Sequence, residues 1–133
     1  MATVGQLMTR NLSVIDEGQG IQHAAQQMHA KRIGSLLVKC GDEFVGIVTE
    51  TDVVQAVAEQ PDVICTLLVK ALMSSPIITV DRNMSPHYAR DLMADRKIRH
   101  LGVTEEGEIV GIMSVRDLLT YFKTVTRELE NEE

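Results

Sequence analysis

The sequence predicts an α+β protein built from two copies of a β-α-β-β-α unit, and three observations support this fold class. The stretch "VGIVTETDVV" at residues 45–54 returns as "VGIMSVRDLL" at residues 110–119. The offset of 65 then holds along the whole chain without a gap. In each copy, a segment with apolar residues at helical spacing is followed by two strand-like runs. A turn that contains glycine joins the two runs.

The repeat also predicts how the chain is organised. Identical residues at the offset of 65 are Leu7 and Leu72, Met8 and Met73, Asp16 and Asp81, Ala24 and Ala89, Met28 and Met93, Leu36 and Leu101, Val38 and Val103, Glu43 and Glu108. We expect repeat 1 at residues 1–60, a connecting segment at 61–70, repeat 2 at 71–124 and an acidic tail at 125–133. One repeat is too small to bury its sheet face, so the two should pack about a pseudo-twofold axis and leave two equivalent clefts.

The elements of each copy follow in the same order. A segment "LMT" or "LMS" leads into a short strand within "LSVID" or "IITVD". The first helix is predicted near residues 19–31, and in the second copy Ser85 is a good N-cap before Pro86. The residues predicted to be buried along these two helices are Ile21, Ala24, Ala25, Met28, Tyr88, Ala89, Leu92 and Met93. The strands "SLLVK" and "EFVGIVT", then "HLGVT" and "EIVGIMS", precede a second helix that begins just after Thr49 or Ser114.

Composition limits the classes of function. Apolar residues make up 44% of the 133 residues and aromatic residues only 3%, so the core must be aliphatic. The formal net charge of -6 argues against a general nucleic-acid-binding surface. Cys40 and Cys65 form no motif and indicate reduced thiols. No signal peptide or membrane-spanning run is evident, so we expect a cytoplasmic location.

The repeated hydroxyl and aspartate have two interpretations. Thr49 with Asp52, and Ser114 with Asp117, match a capping box at a helix start, although such boxes favour Glu at the third position. The same aspartates could instead accept hydrogen bonds from a ribose diol, beside helix N–H groups that favour phosphate. Gly46 and Gly111 likewise indicate either a strand bulge or the close approach of a ligand to the backbone.

These paired endings, together with the β-α-β-β-α unit, resemble a tandem pair of CBS domains, named after cystathionine β-synthase. The resemblance covers about residues 4–123. It implies a stand-alone regulatory module, not an enzyme, that binds AMP, ADP, ATP or S-adenosylmethionine as a regulatory ligand. It also implies a homodimer that regulates an unknown protein. The alternative is a structural dimerisation module without a ligand. No required cofactor, catalytic residue or metal site is predicted.

A basic cluster, Arg96, Lys97, Arg99 and His100, stands out in this acidic chain. The first two suit a helix C-terminus. Arg99 and His100 correspond to Gly34 and Ser35 in copy one, so a helix end does not explain them. The resemblance implies that they reach phosphates in the cleft that contains Thr49 and Asp52. The cleft with Ser114 and Asp117 lacks this pair, and we expect Arg116 to replace it in part. The predicted ligand-binding residues are therefore Gly46, Thr49, Asp52, Arg99, His100, Gly111, Ser114, Arg116 and Asp117.

Overall fold

The computed structural model describes residues 1–132, and the order of its elements repeats once along the chain. The first copy comprises α1 (Val4–Leu7), β1 (Val14–Asp16), α2 (Ile21–Lys31), β2 (Ser35–Cys40), β3 (Glu43–Thr49) and α3 (Glu50–Glu59). A single 3₁₀ turn at Pro61–Val63 follows. The second copy comprises α4 (Val69–Leu72), β4 (Thr79–Asp81), α5 (Pro86–Arg96), β5 (His100–Glu105), β6 (Glu108–Ser114) and α6 (Val115–Glu132). The predicted α+β class is confirmed.

Each copy forms one three-stranded sheet with the same topology. The strand orders are β1-β2-β3 and β4-β5-β6, with the first pair of each sheet parallel and the second antiparallel. In the antiparallel pairs, Ser35 lies opposite Thr49 and His100 lies opposite Ser114. The register therefore brings the start of the middle strand next to the place where the last strand ends and a helix begins.

Most of the local predictions agree with the structure. Ser85 caps α5, since its Oγ accepts a hydrogen bond from the Tyr88 N–H at 3.2 Å, and Pro86 occupies the first helical position. Ala89 and Met93 are buried as predicted, but the prediction for Tyr88 is wrong because this residue is 48% exposed. Tyr88 lies beside the buried face of the helix, and an amphipathic phenol is stable with its ring partly covered and its hydroxyl in water.

The two compact units of the molecule are not the two sequence repeats. One unit comprises residues 1–11 and 78–133, and the other comprises residues 12–77. The segments at residues 4–9 and 69–74, called here the exchanged segments, each belong to the unit that contains the other repeat's strands. The division into compact units therefore differs from the predicted repeat boundaries at the N-terminus and in the segment that joins the repeats.

Backbone hydrogen bonds hold the exchanged segments in place. Thr9 and Ile112 donate to each other's carbonyl groups at 2.8 and 2.9 Å. Ile47 and Ser74 form the same reciprocal pair at 3.0 and 2.9 Å. Val4 adds apolar contact in the first unit, because its side chain is buried among the strands and helices of that unit. The segments are thus paired with β6 and β3 at equivalent positions.

Each unit has its own aliphatic core. The buried core residues of the unit with residues 12–77 are Ile15, Ile21, Ala24, Met28, Leu36, Val38, Val48 and Val69. Those of the other unit are Val4, Val80, Ala89, Met93, Leu101, Val103, Met113 and Leu118. Both cores lie between one face of the sheet and its helices, as expected for a composition with few aromatic residues.

The predicted acidic tail is helical. Helix α6 continues through Glu132, and residue 133 lies outside the described residues. Residues 126–131 are exposed, so the last turns of the helix extend beyond the core. The acidic residues through Glu132 therefore belong to a regular helix of 18 residues.

Glycines occur where the exchanged segments approach the strands most closely. Each sheet has a bulge, between Val38 and Lys39 opposite Gly46, and between Val103 and Thr104 opposite Gly111. A Cβ atom on Gly46 would lie 2.7 Å from the Ser74 carbonyl oxygen and 2.8 Å from the Met73 sulfur. The interpretation of these residues as strand glycines at a bulge is confirmed.

Replacing Gly46 by alanine should destabilise the protein because the new methyl group overlaps backbone of the exchanged segment. We expect a loss of about 1–3 kcal/mol in the free energy of unfolding, measured by urea denaturation. Gly111→Ala should cost less, since its closest neighbour is the flexible Met8 sulfur and the Thr9 carbonyl oxygen lies 3.0 Å away. An unchanged or higher stability of Gly46→Ala would contradict this account of the glycine.

Candidate functional site

The first candidate site lies where β3 ends and α3 begins without an intervening loop. Thr49 is the last strand residue and Glu50 the first helical residue. The Asp52 Oδ2 atom accepts hydrogen bonds from the Thr49 backbone N–H at 2.8 Å and from the Thr49 hydroxyl at 3.2 Å. Asp52 therefore ties the helix start to the end of the strand, as the capping interpretation predicted.

The equivalent junction between β6 and α6 has the same reciprocal capping pattern. Asp117 Oδ2 accepts from the Ser114 N–H at 2.8 Å and from the Ser114 hydroxyl at 3.0 Å. The Ser114 Oγ atom in turn accepts from the Asp117 N–H at 3.2 Å. The capping interpretation is thus confirmed for both repeats. Capping alone is worth about 1 kcal/mol at such a position.

Capping uses only one oxygen of each aspartate. All four hydrogen bonds found to the two carboxylates in the described part of the chain end on Oδ2. An ionised carboxylate has about four lone-pair positions, and a half-buried one keeps part of them accessible. Oδ1 of Asp52 and of Asp117 is therefore chemically able to accept further hydrogen bonds from a ligand while the cap remains intact.

The environment of Asp52 also changes its acidity. Burial raises the pKa of the Asp52 carboxyl above its ordinary value of 3.8, and the two hydrogen bonds from Thr49 lower it to a smaller extent. The fold thus keeps a partly desolvated carboxylate at this junction. Donors from a ligand would favour its ionised form and offset part of that desolvation.

The helix starts offer fewer free N–H groups than the sequence suggested. The Glu50 N–H donates to the Gly34 carbonyl at 3.1 Å, and the Val115 N–H donates to the Arg99 carbonyl at 2.9 Å. In the second repeat the Asp117 N–H is also engaged, by Ser114. The expectation of a phosphate held by free helix N–H groups is therefore corrected, because the cap and the residue that precedes the neighbouring strand already accept hydrogen bonds from these donors.

The two candidate glycines face the protein's own chain. A Cβ atom on Gly111 would meet the Met8 sulfur at 2.5 Å, and one on Gly46 would meet Ser74 and Met73. The close approach that these glycines permit is therefore made by the exchanged segments. A ligand is not needed to explain either glycine.

The basic residues lie in the same unit as Ser114 and Asp117. His100 begins β5 directly opposite Ser114, and Arg99 precedes it with an exposed side chain. Arg116 is exposed in the first turn of α6. Thr49 and Asp52 belong to the other unit. The predicted joint action of Arg99 and His100 with Thr49 and Asp52 stays a prediction.

A second feature was missed by the sequence analysis. A groove of about 450 Å³ lies between α5 and α6, and its lining residues are Arg90, Met93, Ala94, Lys97, Ile98, Arg99, Val115, Leu118, Leu119 and Phe122. The apolar stripe of α6 was the available signal, but it indicated only a buried face. The groove depends on how two helices pack, and their sequences do not show this.

Residues 1–132 contain neither a membrane-spanning helix nor a cluster of metal ligands. The helices described there are all too short or too polar to cross a membrane. Over the same residues, no group of three or more His, Cys, Asp or Glu side chains is arranged to hold a metal ion.

Known proteins resemble this chain in sequence and in fold over both copies of the repeat. The family model for the CBS domain matches residues 4–59 and again 69–124. The CBS domain-containing protein YhcV of Bacillus subtilis is 30% identical over 119 residues, which cover 89% of this chain and 84% of that protein. The crystal structure of a CBS-domain containing protein from Agrobacterium tumefaciens superposes with a TM-score of 0.86 at 28% identity, covering 90% of this chain and 98% of that one.

A more distant structure shares the fold alone. The CBS domain pair of protein MJ0100, solved in complex with 5′-methylthioadenosine and S-adenosyl-L-methionine, superposes with a TM-score of 0.83 at 19% identity. It covers 93% of this chain and 98% of that one. Because the family model matches both copies of the repeat, the chain belongs to the CBS domain family, as a tandem pair.

Proposed function

We propose that this CBS domain pair is a regulatory module that binds an adenosine-containing ligand through Asp52 and Asp117. The observation that carries the proposal is that the capping hydrogen bonds use only one of the two oxygens of each carboxylate. The cap engages Oδ2. The Oδ1 atom of a half-buried aspartate can accept hydrogen bonds from the two hydroxyl groups of a ribose. The hydroxyls of Thr49 and Ser114 hold these carboxylates in position.

The ligand class extends from AMP to ADP, ATP and S-adenosylmethionine. The ligands of the MJ0100 domain pair contain adenosine, and although that protein shares only the fold, they define a useful test set. Arg99 and His100 are proposed to contact phosphate, with Arg116 as a further basic residue near Asp117. An arginine suits this role because its guanidinium group presents several donors in a fixed plane and stays charged at any ordinary pH. The exposed Glu50 would repel additional phosphates and so favours AMP or ADP over ATP.

Ligand binding would regulate a partner protein by population shift. A ligand changes the balance between two arrangements only through its different affinities for them. The alternative function is a dimerisation module that binds no ligand. The exposed apolar residues on α3 and α6 agree with either function, whereas the presence of both aspartates and both hydroxyls favours the ligand-binding proposal.

A homodimer is part of the proposal. Val54 on α3 is 67% exposed and Leu119 on α6 is 66% exposed, and neither contributes to the core of its unit. Exposed apolar residues that adjoin each other indicate an association surface, and Val57, one turn beyond Val54 on α3, is 56% exposed as well. A second copy of the chain is the simplest partner, since most soluble oligomers are symmetric homo-oligomers.

Substitution of the aspartates should weaken ligand binding. Asp52→Ala and Asp117→Ala each remove a charged acceptor, so we expect a loss of about 1.5–3 kcal/mol, roughly tenfold or more in affinity, at the altered site. Isothermal titration calorimetry with AMP and adenosine measures this loss. Asp42→Ala and Asp95→Ala change exposed aspartates outside the motifs and serve as controls. Unchanged affinity in both single variants and in the double variant would leave capping as the only role of these residues.

Binding at Asp52 should depend on pH because burial raises the pKa of this carboxyl above 3.8. The carboxyl takes up its proton at a higher pH than an ordinary aspartate, and the neutral form is the weaker acceptor. In an Asp117→Ala background, affinity for adenosine should therefore begin to fall at a pH above 3.8 as the solution is acidified. The further change Asp52→Asn should give weaker binding without this dependence. Parallel pH profiles for the two proteins would contradict the assignment.

The proposed phosphate contact predicts selectivity for phosphorylated ligands. Arg99→Ala should weaken AMP binding about tenfold or more and adenosine binding by less than about twofold. Arg96→Ala is the matched control, because Arg96 is also exposed and lies three residues earlier, at the end of α5. Titrations in the Asp52→Ala and Asp117→Ala backgrounds show with which aspartate Arg99 acts. Equal losses for AMP and adenosine would mean that Arg99 does not contact phosphate.

A further inference from the structure

The residue that follows each exchanged segment differs in charge between the two units. Arg10 follows the segment at residues 4–9, and Ser75 follows the segment at residues 69–74, at the repeat offset of 65. Both come directly after the reciprocal hydrogen bonds that join these segments to β6 and β3. The backbone of Arg10 therefore lies beside β6 where that of Ser75 lies beside β3.

The serine has a structural contact that the arginine lacks. The Ser75 hydroxyl donates a hydrogen bond to the Val45 carbonyl of β3 at 2.7 Å. Over residues 1–132, the exposed side chain of Arg10 forms no hydrogen bond or ion pair. The need to hold the exchanged segment on its edge strand thus explains Ser75 and does not explain Arg10.

The first turns of α3 and α6 differ in the same sense. Helix α6 begins with Val115 and Arg116, whereas α3 begins with Glu50 and Thr51. A helix start is the positive end of the helix dipole, so Glu50 is stabilising there and an arginine is destabilising. The exposed side chain of Arg116 has no hydrogen bond or ion pair with any residue that the structure describes. Helix stability therefore does not explain Arg116.

Both arginines belong to the unit that contains Asp117. The exchanged segment pairs with Ile112, two residues before β6 ends at Ser114, and two strand residues span about 7 Å. Arg116 directly precedes Asp117 in the first turn of α6. Arg10 and Arg116 are therefore attached to backbone close to the aspartate that is proposed to bind ribose.

The two aspartates thus have neighbours of opposite charge. Arg10 and Arg116 add two positive charges near Asp117, whereas Glu50 adds one negative charge near Asp52. Arginine binds phosphate oxygens through several donors in a fixed plane and stays charged at any ordinary pH. A glutamate next to a bound phosphate repels it, and this repulsion grows with each further phosphate.

We propose that the two aspartate sites select adenosine ligands by charge and that Arg10 and Arg116 determine this selectivity. The site at Asp117 takes a ligand with two or more phosphates, such as ADP. The site at Asp52 takes a ligand with at most one phosphate, such as adenosine or S-adenosylmethionine. This inference rests on the proposed function and names the ligand class of each site.

Exchanging residues between the repeats tests the proposal. The variant Arg10→Ser with Arg116→Thr introduces the residues of the other repeat, and an Asp52→Ala background restricts the measurement to the site at Asp117. Isothermal titration calorimetry should show that ADP binds about tenfold or more weakly than in the background protein, because two phosphate contacts are lost. Adenosine affinity should stay within about twofold, because the ribose contact remains.

A matched control removes the same charge elsewhere. Lys123→Ser with Arg127→Thr changes two exposed basic residues further along α6. This control should leave the affinities for ADP and adenosine unchanged. It therefore separates a local phosphate contact from the general effect of a more negative chain.

The reverse exchange should create the selectivity at the other site. In an Asp117→Ala background, Thr51→Arg with Ser75→Arg should strengthen ADP binding about tenfold relative to adenosine. Because Ser75→Arg also removes the hydrogen bond to Val45, Thr51→Arg is tested alone as well and should give part of this gain.

Stability without a ligand distinguishes a binding role from a structural one. Arg116→Thr removes an unfavourable charge from the helix start, so its midpoint of urea denaturation should not fall below that of the unaltered chain. Arg10→Ser should also retain the midpoint, since Ser75 shows that a serine fits beside an edge strand. A lower midpoint in both variants would mean that these arginines stabilise the fold.

The outcomes separate this inference from the proposed function. Equal losses for ADP and adenosine, an unaltered ADP affinity after the exchange, or the same loss in the control would overturn the charge selectivity and leave ribose binding intact. An unaltered chain that binds neither ADP nor adenosine, or binding that neither Asp52→Ala nor Asp117→Ala weakens, would overturn the proposed function and the selectivity with it.

Discussion

The close packing of the exchanged segments on β3 and β6 is the constraint on which the rest of the structure depends. Both strands are the last in their sheets, and an uncovered outer edge leaves backbone donors and acceptors without partners. The reciprocal hydrogen bonds of Ile47 with Ser74, and of Ile112 with Thr9, satisfy part of each edge. Only glycine at positions 46 and 111 leaves room for this approach. Each strand ends three residues after its glycine, at the residue that caps the following helix. The position of the strand edge therefore also fixes the bulge and the start of the helix.

The capping and binding interpretations of the aspartates are compatible because a carboxylate has two oxygens. Hydrogen bonds from Thr49 or Ser114 orient the group through Oδ2, which removes its rotational freedom before any ligand arrives. A capping glutamate, with one more methylene group, would place its second oxygen differently. The raised pKa of Asp52 indicates that burial of this charge is costly in the fold. A costly charge held in a fixed orientation is typical of a functional position.

The two repeats share a fold and differ in their surfaces. Their sheets have the same order and register, down to the bulges opposite Gly46 and Gly111. The second repeat alone carries Arg99 and His100 where the first has Gly34 and Ser35, and its last helix is 18 residues long. The chain has a net charge of -6, yet the unit that contains the second repeat's strands has a groove lined by basic residues as well as an acidic helix end. The two copies therefore share the residues that form the sheets and caps and differ on their surfaces.

The sequence by itself determined the features that depend on neighbouring residues. Strands β3 and β6 have the predicted bounds, and the caps at Ser85, Thr49 and Ser114 form as predicted, because alternation, turns and caps act over a few residues. Only the tertiary structure decided that residues 4–9 pair with β6 and residues 69–74 with β3, and this packing is sufficient to explain the two glycines. The tertiary structure also decided the exposure of Tyr88 and the groove between α5 and α6. It likewise decided that the carbonyl groups of Gly34 and Arg99 accept hydrogen bonds from the helix starts. These features depend on contacts between residues that are distant in the chain, such as Thr9 and Ile112, and local sequence patterns contain no information about which distant segment fills a given space.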